Sequence, residues 1–143
     1  MIFLRSEEGL APSYMTRHSS CADLRSRISI NIKAHSRCII PTGVWIDRVD
    51  WQLVPENMIP ELQIRARSGL SLKTGLMLAN GIGTIDADYT EEIGVIFFNT
   101  NPHDVKIKKG DRIAQITLAL NFKIPGLEIG LSRTGGFGST GAD

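Results

Sequence analysis

Leu62-Gln63-Ile64-Arg65-Ala66-Arg67 alternates apolar and polar side chains without a break, and a period of two belongs to a strand with one face buried. Working outward from it, Ile28, Ile30 and Ile32 alternate with Arg27, Ser29 and Asn31. Ile116, Leu118 and Leu120 repeat the pattern after the turn signal Lys109-Gly110-Asp111, and residues 93–98 form a nearly continuous apolar run. All of these read as strands. Turn chemistry recurs roughly every ten residues, the cadence of a sandwich or barrel. It falls at Pro41-Thr42-Gly43, Pro55-Glu56-Asn57, residues 81–83, Asn101-Pro102, Gly110 and Pro125-Gly126. Only residues 68–76 can hold a short helical turn, and no segment carries the long apolar stripe that a crossover helix needs. The predicted fold is all-β, which excludes a doubly wound parallel sheet.

The chain has 143 residues, enough for one well-cored domain and too few for two ordinary ones. That domain is expected over residues 1–130, followed by a glycine-rich arm over 131–143. A formal charge of +1 with 22% charged residues leaves no basic stripe for duplex nucleic acid, so any phosphate binding must be local. No stretch approaches the length of a membrane span, and Arg5, Glu7 and Glu8 interrupt the N-terminus before a signal-peptide core could form. An intracellular protein is expected, cytoplasmic, or nuclear in a eukaryotic or viral setting. Cys21 and Cys38 are too few for a disulfide framework, and with His18, His35 and His103 they form no closely spaced zinc cluster. Both cysteines read as packing residues.

Four internal segments and the tail carry chemistry. Asn80-Gly81-Ile82-Gly83-Thr84-Ile85-Asp86-Ala87-Asp88-Tyr89 joins a glycine-bearing turn to carboxylates and a tyrosine. Read as the tip of a hairpin between residues 76–78 and 93–98, it would turn backbone N–H and C=O groups toward a cleft and read a base edge. Asp86 then suits a general base for water, and Tyr89 suits packing against a sugar. Ala66-Arg67-Ser68-Gly69-Leu70 sets a guanidinium, a hydroxyl and a glycine N–H side by side, donors that suit phosphate oxygens. It lacks the Lys-Ser or Lys-Thr ending of a P-loop. Gln115, a polar residue opening an apolar strand, needs a partner. Asp23, in Ser20-Cys21-Ala22-Asp23-Leu24, puts a carboxylate just before a strand. The tail Gly135-Gly136-Phe137-Gly138-Ser139-Thr140-Gly141 reads alone as a low-complexity terminus. Beside the other segments it reads as a nucleotide lid, with glycine N–H groups and hydroxyls for an anion and one ring for a base. Together these groups make a phosphate-ester site suited to magnesium held through water.

In order and spacing these segments resemble the five motifs of the trimeric all-β dUTPases: Asp23-Leu24, Arg67-Ser68-Gly69-Leu70, Gly83 through Tyr89, Gly110-Asp111-Arg112-Ile113-Ala114-Gln115, and Gly135 through Gly141. Pro41-Thr42-Gly43 also matches a turn of that family. The resemblance implies a jelly-roll-like β-sandwich or barrel subunit, and a homotrimer whose active sites are shared between chains. It implies hydrolysis of dUTP to dUMP and pyrophosphate, with the arm over 131–143 closing a neighbour's site. Carried over by position, Asp86 activates the water. Arg67, Ser68, Gly69 and Gln115 hold the α and β phosphates, and Arg133, Ser139 and Thr140, beside the backbone of Gly138, hold the γ group. Phe137 stacks on uracil, Tyr89 lies beneath deoxyribose, and Asn80, Gly83, Thr84 and Ile85 belong to the segment that pairs with uracil. Asp23 reaches Mg2+ through water.

Four departures mark this chain. Ser20-Cys21-Ala22 replaces the usual Ala-Gly-Tyr or Ala-Gly-Leu, Ala66 stands for a proline, and Thr90-Glu91 stands for Arg-Gly. Arg133 lies one position closer to Phe137 than is usual. Two other functions are compatible with the residues. A dCTP deaminase shares the subunit fold but has a glutamate at the position of Asp86. A regulatory dUTP-binding module would use a partner surface such as residues 45–60.

Overall fold

The computed structural model describes residues 1–127, 129 and 130. The chain runs through β1 (Ile2–Ser6), β2 (Ala22–Arg25), β3 (Ile30–Ile32), β4 (Arg37–Pro41) and β5 (Val44–Val49), then a 3-10 turn at Trp51–Leu53. After it come β6 (Met58–Ala66), helix α1 (Ser68–Thr74), β7 (Leu76–Leu78), β8 (Gly83–Asp86), β9 (Gly94–Asn99), β10 (Val105–Ile107) and β11 (Arg112–Phe122). The all-β expectation holds, and the short helix falls inside the 68–76 window. Glycine ends it: Gly75 adopts the left-handed conformation and its N–H returns to the Ser71 carbonyl.

Strands β2-β11-β6-β8 form one antiparallel sheet and β4-β9-β7 a second, with the two-stranded ribbons β1-β5 and β10-β3 beside them. The inward side chains of both larger sheets meet in one core. Leu24, Leu62, Ile64, Ile85 and Ile116 come from the first, and Ile40, Leu76, Val95 and Phe97 from the second. Their alternation with exposed or half-buried neighbours is the period-two pattern of the sequence. Asn99 is the polar tie of this core. Fully buried, it donates to the carbonyls of Ile32, Lys33 and His103 and so binds β9 to the β3 and β10 ends.

Several turn signals land where backbone geometry requires them: Gly43, Asn57, Gly81, Gly110 and Gly126 all have positive φ. At Gly43 a Cβ would also come within 2.6 Å of Leu10 Cδ1, so that buried side chain would have to shift as well.

Three local expectations are corrected. Ile28 lies outside β3 and is exposed, because Ser26 Oγ donates to the Ile28 carbonyl and bends the chain before the strand starts. Ala66 and Leu118 are also exposed: Ala66 closes β6, and Leu118 lies in the wall of an open groove with Ile2 and Leu4. The largest change concerns residues 80–86. β7 and β9 do pair, but the segment between them does not close as their hairpin. It crosses to the other sheet and adds β8 to the edge of β6, from Ile64↔Gly83 to Glu61↔Asp86. Gly83 permits this approach, since a Cβ there would meet Ile64 Cβ at 3.2 Å. Cys38 packs against the core, and burial pushes its thiol up, keeping it neutral as a packing residue. Among the described residues, no helix is long and apolar enough to cross a membrane.

Candidate active site

The polar residues singled out in the sequence fall into two groups on one sheet. The first centres on Asp23 in β2, whose side chain is only 3% exposed and whose carboxylate accepts two hydrogen bonds and faces one further cation. Arg67 Nε lies 3.4 Å from Oδ1, Gln115 Nε2 donates to Oδ1 at 3.2 Å, and Arg112 donates to Oδ2 at 3.1 Å. Arg67 is pinned a second time, donating to the Arg112 carbonyl at 2.7 Å. Strand pairing explains part of this convergence, because Gln115 stands directly across from Asp23 and Arg67 follows the last residue of β6.

Arg112 lies in the fourth motif, yet nothing local in the sequence marks it as a partner of Asp23, and the reason is a bulge. Counting by two, Arg112 and Gln115 point to opposite faces of β11. The register against β2 slips between Arg112 and Ala114, so two steps on β11 answer one on β2 and both side chains reach Asp23. Such a bulge leaves no clear mark in one sequence. Ser68 and Gly69 open α1 next to Arg67, both exposed.

Removing this carboxylate tests the cluster. Bonds to charged partners are the stronger ones, but Arg67 and Arg112 are 23% and 37% exposed and recover water when the acid is lost. Asp23→Ala is therefore expected to cost about 2 kcal/mol in urea denaturation. An unchanged midpoint would mean that the ion cluster adds nothing net to stability.

The second group lies on β8 and the loop after it. Thr84 and Asp86 are exposed on the sheet face opposite the core, Gly83 and Ile85 are buried, and Asn80 is exposed before the strand. β8 is an edge strand, so one row of its backbone polar groups faces away from β6. Tyr89 is buried to 6% exposure, its N–H donating to the Asp86 carbonyl at 3.1 Å and its hydroxyl to the Glu92 carbonyl at 3.2 Å.

The sheet keeps the two groups apart. Asp86 stands across from Glu61 and Gln115 across from Arg65, four positions along β6, and Asp23 lies three strands from Asp86. Ordinary strand rise and spacing put the Asp23 and Asp86 Cα atoms roughly 20 Å apart. Clefts of about 340 and 650 Å³ are lined by other side chains, around Ile2, Leu4 and Ile116 and around Trp51, Met58 and Phe122. The expected site residues Arg133, Phe137, Gly138, Ser139 and Thr140 lie outside the described residues. So does the arm itself.

By fold the chain is a jelly-roll-like β domain. A model of the family described as dUTPase matches residues 7–141, so the chain belongs to the dUTPase family. A deoxyuridine 5'-triphosphate nucleotidohydrolase of Treponema denticola is 42% identical over 98% of this chain and 97% of its own length. One from Rickettsia rickettsii is 44% identical over 96% and 93%. Among solved structures, the dUTPase of Streptococcus mutans superposes with a TM-score of 0.74 at 26% identity, covering 86% of this chain and 98% of that one. A dUTPase mutant from phage phi11 of Staphylococcus aureus, described with a coordinated structural Mg(II) ion, shares the fold at TM-score 0.71 and 19% identity, over 90% and 96%.

Proposed function

We propose that this chain hydrolyses dUTP to dUMP and pyrophosphate as one subunit of a homotrimer, with each active site assembled from more than one chain. Family membership and the names of relatives over 40% identical across nearly the whole chain support the reaction. The observation that carries the shared site is the separation of Asp86 from the Asp23 cluster. One attacking water cannot be held by a base at one end of a sheet while the same chain's arginine grips the phosphates at the other.

In this reading Asp86 takes a proton from a water as its oxygen attacks the α-phosphorus, and the bond from that phosphorus to the bridging oxygen breaks to release pyrophosphate. Arg67, Ser68, Gly69 and Gln115 of another subunit hold the α and β phosphates. Asp23 braces Arg67 and Gln115 from behind, fixing both donors before substrate arrives. The outward edge of β8, with Asn80, Gly83, Thr84 and Ile85, reads uracil, and Tyr89 packs beneath deoxyribose. The arm over 131–143 supplies Arg133, Gly138, Ser139 and Thr140 for the γ-phosphate and Phe137 for the base. A cytoplasmic location belongs to the same proposal.

Magnesium fits this donor set only at one remove. A carboxylate offers about four acceptor directions; at Asp23, Gln115 and Arg112 fill two and the paired Arg67 crowds the same group, which leaves room for a water in a metal's shell. Among the described residues no three His, Cys, Asp or Glu side chains cluster as a metal cage. Such a set suits Mg2+ held mainly by substrate phosphates and water, where it would offset charge on the leaving pyrophosphate.

A pyrophosphate-release assay across the four common dNTPs, dUTP and UTP tests the activity. Turnover of dUTP alone is expected, because rejecting a 2′-hydroxyl or a 5-methyl group is steric and rejecting cytosine follows from mispaired donors. Ammonia release from dCTP would point instead to a deaminase, and binding without turnover to a regulatory module.

A further inference from the structure

We infer that Glu92 is a positioning residue for Tyr89 and that it thereby sets discrimination between deoxyribose and ribose. The inference rests on the reading that Tyr89 packs beneath the sugar. Glu92 works through both its backbone and its side chain. Its carbonyl takes the Tyr89 hydroxyl at 3.2 Å. Its carboxylate reaches the other way: Oε1 takes the Gly43 N–H at 2.6 Å, and Oε2 pairs with Arg27 at 3.1 Å.

Both of those anchors are themselves held. Arg27 also pairs with Glu7 at 3.0 Å, and its N–H donates to the Pro41 carbonyl at 2.9 Å. The Gly43 carbonyl takes the Glu7 N–H at 2.9 Å. The next residue, Ile93, is fully buried and bonded to Thr42 and Val44, with Thr42 Oγ1 donating to its carbonyl at 2.6 Å. Glu92 thus ties the loop that follows Asp86 and bears Tyr89 to the turn between β4 and β5. That turn has its conformation fixed by a glycine no other residue can replace without strain.

The carboxylate makes two bonds at once, and substitution separates its functions. Glu92→Gln can still accept from Gly43 but presents no charge to Arg27. Glu92→Ala loses both contacts. A loop freed at this point lets the Tyr89 ring move away from the sugar, which opens room for a 2′-hydroxyl.

The experiment measures kcat/KM for dUTP and for UTP in wild type, Glu92→Gln and Glu92→Ala, with melting curves as a check on folding. The dUTP:UTP ratio is expected to fall by about tenfold in Glu92→Ala and less in Glu92→Gln, through a higher KM for dUTP and gained UTP turnover. Tyr89→Phe keeps the ring but removes the bond to the Glu92 carbonyl. Its effect on the ratio should not add to that of Glu92→Ala. If both substrates lose rate equally and the ratio stands, Glu92 is merely structural and the inference is overturned. Should Glu92→Ala fail to fold, Arg27→Met gives the same readout through the second anchor, and an unchanged ratio there overturns it too. Tyr89→Leu separates the two levels of argument. A wild-type ratio in that variant refutes the sugar-packing reading, whereas a collapsed ratio beside an intact one in the Glu92 variants refutes only the role of Glu92.

Discussion

Asp86→Asn is expected to lower kcat for dUTP by roughly two to four orders of magnitude while nucleotide binding holds. Asparagine keeps the size of the side chain and can still orient a water, but it cannot take the proton. Asp86 is exposed at the last position of β8, so the change opens no cavity. Pyrophosphate release gives the rate, and calorimetric titration with a non-hydrolysable dUTP analogue gives the affinity. Wild-type turnover in this variant would displace Asp86 as the base.

Two inactive variants should restore each other. Arg67→Ala removes a phosphate donor at one end of the sheet and Asp86→Asn a base at the other, roughly 20 Å away by strand geometry. If one site takes Asp86 from one chain and Arg67 from the next, some sites in mixed trimers contain both intact residues. Random assembly of equal amounts makes about a quarter of all sites whole, as expected for a head-to-tail ring. Co-refolding the two variants should therefore recover about a quarter of wild-type activity, measured against each variant refolded alone. No recovery would show that base and phosphate donors act within one chain.

The strands were legible wherever one face alone is buried. β6 and β11 announce themselves by alternation, and turn residues such as Gly43, Asn57 and Gly110 mark backbone that must enter the left-handed region. β1, β4, β5 and β10 carry too little pattern to stand out in the sequence, and they form only against partners distant in the chain. For the site, the residue types in Asp23, Arg67, Gln115 and Asp86 indicated phosphate and water chemistry, and Gln115 does find the partner its position demanded. Nothing local marks Arg112 or Glu92, because each owes its place to a contact between residues far apart in sequence.

Local periodicity, turn chemistry and ordered motifs were thus enough to fix an all-β chain of the dUTPase family, since each depends on neighbours within a few residues. Which groups meet was settled by long-range pairing. Strand register and one bulge brought Arg112, Gln115 and Arg67 onto Asp23 and carried Asp86 to the far end of the same sheet, because hydrogen-bonded ladders place side chains by their partners across the sheet.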